Sequence, residues 1–98
     1  MKKLRLGNGM YCVELLHSVQ KNGNTTYISG AGPFATYYNT DALEIMERRS
    51  ENIISDLKKD DAIVAIDIQE DLEEITYKIT GWRKDDALVW EWRVYPYN

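Results

Sequence analysis

An Asn-Gly pair set between two alternating runs constrains this chain more than any other feature. Asn22-Gly23 suits a type I′ turn, because both central residues must reach positive φ and these two do so at least cost. The turn is expected to pair Lys21 with Asn24, Val19 with Thr26 and His17 with Ile28. In that register Tyr11, Val13, Leu15, His17, Val19 and Ile28 share one face, so turn chemistry and apolar alternation agree. A second pair, Asn8-Gly9, is expected to fold residues 3–6 back onto residues 10–13. The first third therefore reads as a three-stranded antiparallel meander.

Gly30-Ala31-Gly32-Pro33 closes that meander, and a linker through residues 34–39 follows. The next segment changes period. Leu43, Met46, Ser50, Ile53 and Leu57 recur at helical spacing, with Ala42 and Ile54 as shoulders. Asp41 followed by Glu44 has the form of a capping box, so the helix is expected to begin at Thr40 or Asp41. Glu44 and Arg48 stand one turn apart on the wet side. Lys58-Lys59 ends the helix with the charge its C-terminus prefers.

The last third returns to strands. Residues 62–68 are almost all apolar and read as a central strand covered on both sides. Residues 72–80 alternate, with Ile75, Tyr77 and Ile79 on one face. Leu88, Trp90, Trp92 and Val94 alternate with Val89, Glu91 and Arg93. A tight turn at Asp85-Asp86 would pair Ile79 with Trp92, Tyr77 with Val94 and Trp82 with Val89. It would also set Lys78 against Arg93, a small repulsion. The fold class is thus α+β, residues 1–98 forming a single domain. Its antiparallel sheet runs in βββ-α-βββ order and packs on one amphipathic helix.

Charge narrows the partners. Sixteen acids against twelve bases leave a net charge of −4, and residues 56–86 hold ten acids and five bases. Nucleic-acid binding needs a basic stripe to displace counterions from phosphates, and this chain has the reverse, so no direct nucleic-acid partner is expected. No apolar run reaches the length of a membrane span, so no membrane partner is expected either. A lone cysteine, Cys12, and the lack of a signal-peptide apolar core point to the cytoplasm.

Catalytic and metal chemistry finds few carriers. Cys12 and His17 are five apart on one strand, hence on opposite faces about 16 Å apart, and form no nucleophile–base pair. Cys12 reads as a small core residue and His17 as a structural one. One cysteine and one histidine supply no zinc set, and the acids lack the spacing and glycine of a calcium loop. No catalytic residue, metal or cofactor is assigned.

Two binding surfaces emerge instead. Asp67, Glu70, Asp71, Glu73 and Glu74 are five acids with no base in eight residues, a negative ridge suited to a basic protein surface. Trp82, Tyr95 and Tyr97 fall on the face opposite Trp90 and Trp92 and would be exposed if the helix covers one face only. The alternative is a nucleotide-like ligand held by Gly30 and Gly32, by Tyr37 and Tyr38 through stacking, and by Arg48 and Arg49 through charge. The reading is a small acidic non-catalytic protein acting by protein–protein interaction, such as an inhibitor, immunity or mobile-element counter-defence protein. Open strand edges also make a homodimer compatible with it.

Overall fold

The computed structural model describes residues 5–31, 37–71 and 75–97. Asn22 (φ 53°) and Gly23 (φ 79°) both take positive φ and join β1 (Met10–Lys21) to β2 (Asn24–Ala31). Lys21 pairs with Asn24 and Val19 with Thr26, as the turn requires. Past Ser18–Tyr27 a bulge intervenes, so His17 meets Ser29 rather than Ile28. Bulges of this kind bend a long strand and increase its twist.

The expected first hairpin does not form. Arg5, Leu6 and Gly7 lie outside any strand, and the rest of that predicted strand lies outside the described residues. The reason is competition for the edges of β1. One edge is taken by β3 (Tyr37–Tyr38), through Met10–Tyr38 and Tyr11–Tyr37. The other is taken by β6 (Ala87–Pro96), from Tyr11–Pro96 to Gln20–Ala87. Leu6 becomes a buried core residue instead, and Gly7 O accepts the Tyr11 hydroxyl at 2.9 Å.

Helix α1 (Asn39–Lys59) follows β3 directly. Its N-cap is Tyr38, with no side-chain cap, so the capping box of Asp41 and Glu44 is not made. Contacts with the chain before β1 replace it. Asn39 N–H donates to Gly9 O at 3.1 Å, and Asn39 Nδ2 donates to Leu6 O at 3.3 Å. The expected stripe is the buried one: Ala42, Met46, Ser50 and Leu57 are buried, flanked by Leu43, Ile53 and Ile54. Gly81 lets the helix end sit close, since a Cβ there would come within 2.7 Å of the Leu57 Cδ2 methyl.

The sheet order is β2-β1-β6-β5-β4, antiparallel throughout, with β3 beside β1. The chain is thus an α+β domain in βββ-α-βββ order, its helix packed on one face of the sheet. Two expectations about the last third are corrected. β4 (Ala65–Asp71) is an edge strand, not a central one, and Val64 and Ile68 beside and within it are exposed. Among the described residues β4 has a neighbour only in β5 (Thr76–Trp82), so its outer backbone edge stays unpaired. The strand predicted over residues 72–80 begins at Thr76, because Ile75 (φ 53°) has left the β region and residues 72–74 lie outside the described set.

The β5–β6 register is also shifted by two residues. Ile79 faces Trp90, Tyr77 faces Trp92 and Trp82 faces Ala87. A four-residue loop closes this hairpin, with Arg83 N–H donating to Asp86 O at 2.8 Å and the Arg83 guanidinium held by both Asp86 carboxylate oxygens. The shift leaves every side chain on its expected face. It also sets Lys78 opposite Glu91 instead of Arg93, turning a repulsion into an attraction.

Candidate functional site

Strand alternation sorts the side chains of this sheet onto two faces. The helix covers Val13, Tyr77, Ile79, Trp92 and Val94, all buried, and Trp92 Nε1–H donates to Ser50 Oγ at 2.9 Å. Over the opposite face no element lies among the described residues.

The cross-strand pairs give that open face its relief. One row runs Tyr27–Ser18–Val89–Thr80–Asp67 across β2, β1, β6, β5 and β4. Its three central residues, Ser18, Val89 and Thr80, are short and buried. The neighbouring row carries Trp82, with Gln20 and Ala87, and the row on the other side carries Leu16, Glu91 and Lys78. Short side chains between longer rows make a trough. Its walls are Trp82 on one side and Leu16, Glu91 and Lys78 on the other, with Tyr27 and Asp67 at its ends. At the Tyr27 end a small pocket of about 100 Å³ opens beside Ser18, Val89 and Arg93.

Trp82 is 46% exposed, Tyr27 62% and Tyr95 41%, so three large aromatic rings meet solvent on this face. Tyr95 is anchored: its hydroxyl donates to Glu14 Oε2 at 2.6 Å. That hydrogen bond, with some desolvation, holds the phenol above its usual range. Arg93 donates to Glu91 Oε2 at 2.8 Å, which raises the guanidinium further and keeps it charged. Glu14, Asp67, Asp71 and Glu91 stand against Lys78 and Arg93, so acids prevail on the open face.

The predicted surface residues divide accordingly. Asp67, Asp71, Trp82 and Tyr95 fall together on the open face. Glu70 pairs with Tyr77 and points to the helix side, so the acidic run is split between faces by simple alternation. Tyr97 is exposed just past β6, its N–H donating to Met10 O at 2.9 Å. Glu73 and Glu74 lie outside the described residues. Sequence reading did not single out Tyr27, Ser18, Val89 or Thr80. The signal was present in the Asn22-Gly23 register, which sets Tyr27 beside Ser18 once the turn is fixed.

The alternative ligand residues do not converge in the same way. Gly30 lies within β2, opposite Leu16, Tyr37 lies in β3, and Gly32 is outside the described residues. Tyr38 caps the helix, whereas Arg48 and Arg49 are exposed ten residues or more further on, about 15 Å along the axis. Arg48 donates to Glu44 at 3.4 Å. Cys12 and His17 project from opposite faces of β1, opposite Tyr95 and Trp90 respectively. Cys12 is half-buried on the open face rather than a core residue. His17 stacks on Trp90 with ring centroids 4.2 Å apart, and its Nδ1–H donates to Val89 O at 2.9 Å. No described helix is long and apolar enough to cross a membrane.

Comparison with known proteins supplies no relative: no family model, no curated protein and no solved structure matches this chain.

Proposed function

We propose that this chain is a small, non-catalytic binding protein that acts by protein–protein interaction through the open face of its sheet. The observation that carries the reading is the trough itself. A sheet face with a buried floor, over which no element lies among the described residues, presents Trp82, Tyr27 and Tyr95 to solvent. Exposed aromatic rings around a well-packed centre, rimmed by charge, are what a protein partner anchors on. The excess of Glu14, Asp67, Asp71 and Glu91 over Lys78 and Arg93 favours a partner with a basic surface. An inhibitor, an immunity protein or a counter-defence protein of a mobile element, working in the cytoplasm, fits a domain of this size and charge.

Native mass spectrometry of the protein gently purified from its host tests the reading. The expected result is a stoichiometric adduct with a basic polypeptide. The adduct should be lost when Trp82→Ala is combined with Asp67→Lys and Asp71→Lys. An adduct undiminished by those changes would place the interface elsewhere, and a bare monomer from its own host would count against a stable partner. A homodimer, compatible with the open edges of β2 and β4, would appear in the same spectra as twice the chain mass.

A further inference from the structure

A second concavity lies on the other side of the sheet, where the helix stops short of the edge. Glu47, Ser50, Glu51 and Ile54 follow one another at helical spacing along one flank of α1. Tyr77 of β5, Ile68 of β4 and Arg5 complete the lining. The groove between them has a volume of about 610 Å³, within the range of small-molecule sites. It lies where α1, packed on β1, β3 and β5, leaves the β4 edge beside it.

The lining has a definite chemistry. Ile54, Ile68 and the Tyr77 ring form an apolar floor. Glu47 and Glu51 rim it, Glu70 stands across from Tyr77 on the same side of the sheet, and Arg5 also lines the groove. Tyr77 is only 3% exposed, yet its hydroxyl makes no hydrogen bond among the described residues and is not sealed off from solvent. A ring held in the core with its one polar atom open to the groove is positioned to donate to, or accept from, a bound molecule. Burial holds this phenol above its usual range, and the Glu70 and Glu47 carboxylates push the same way.

We infer that this groove between α1 and the β4 edge is a binding site for a small organic cation, an ammonium or guanidinium group carried on a compact apolar body. The apolar part lies on Ile54, Ile68 and the Tyr77 ring, and the cationic group reaches the Glu47 and Glu51 carboxylates. This site is separate from the open-face trough and does not depend on it.

The groove contains its own reporter, because Ser50 lines it and also accepts the Trp92 indole N–H. Titration of the full chain with phenethylammonium, followed by two-dimensional amide and indole NMR, reads the site directly. The expected result is a saturable shift of the Trp92 indole resonance and of the Glu51, Ile54, Ile68 and Tyr77 amides. The dissociation constant should be about 1 mM or tighter. Phenylacetate, with the opposite charge on a similar body, should leave these signals still. Glu47→Gln with Glu51→Gln, both exposed on the helix and harmless to folding, should weaken phenethylammonium by about tenfold or more. Absence of a saturable shift, an equal response to phenylacetate, or undiminished affinity in the double variant would each overturn the assignment.

Discussion

The two faces of the sheet are built from the same strands but obey different rules. On the helix side the side chains are large and buried, and the hydrogen bond from Trp92 to Ser50 ties sheet to helix. On the open side the buried residues are small, Ser18, Val89 and Thr80, and the large ones, Tyr27, Trp82 and Tyr95, stand out in solvent. Large residues facing a second layer give stability, because each removes much apolar area from water. Large residues facing nothing contribute little to folding and remain available to a partner. The contrast teaches that in so small a domain one face can supply the packed core while the other presents its large side chains to solvent.

That division makes the helix side the costly one to disturb. Trp92→Ala empties a fully buried site and leaves Ser50 without its donor, so it should destabilise the domain by about 3–5 kcal/mol in urea unfolding. A loss below about 1 kcal/mol there would break the contrast. Val89→Ala sharpens it from the other side. Val89 is buried with no element above it among the described residues, so the expected loss is only the transfer of two methyl groups, about 1–2 kcal/mol.

Two tyrosines extend the comparison to pH. Tyr77, under the helix, and Tyr95, on the open face, both titrate above the ordinary value of 10.0 when folded, the first chiefly by desolvation, the second by its bond to Glu14. A raised folded value means that the unfolded chain releases the proton first. Their stabilising effect is therefore complete below pH 10.0 and is lost as pH rises through the folded values. Unfolding curves at neutral and strongly alkaline pH should show that Tyr77→Phe flattens this alkaline fall more than Tyr95→Phe does. The smallest effect on stability belongs to Trp82→Ala, within about 0.5 kcal/mol, although the same change should abolish capture of a protein partner. A large destabilisation by Trp82→Ala would mean that this ring belongs to the core.

Much of this architecture was legible along the chain. The Asn22-Gly23 turn, the stripe through Met46, Ser50 and Leu57, and the alternation of Trp92 and Val94 with Arg93 all appear where residue order placed them. The misreadings share a cause. Asn8-Gly9 is as good a turn signal as Asn22-Gly23, but Tyr37, Tyr38 and β6 occupy both edges of the strand it would have paired with. The apolar run before Asp67 looked central, yet β4 lies at the edge, while the more mixed β6 lies in the middle of the sheet. Apolarity indicates that a strand has something to bury. It does not indicate how many neighbours it has.

The candidate surfaces follow the same logic. Trp82 and Tyr95 could be assigned to the open face from alternation alone, as could the opposite directions of Asp71 and Glu70. The trough could not, since its floor joins Ser18 of β1 to Val89 and Thr80 of a hairpin far from it in sequence. Nor could the groove, whose lining comes from α1, β4, β5 and the chain before β1. By itself, the sequence determined turn type, period and facing, because φ preference and side-chain direction belong to consecutive residues. Only the tertiary structure decided strand order, the register of β5 on β6 and the two concavities, because each depends on which distant segment wins a shared edge or covers a shared face.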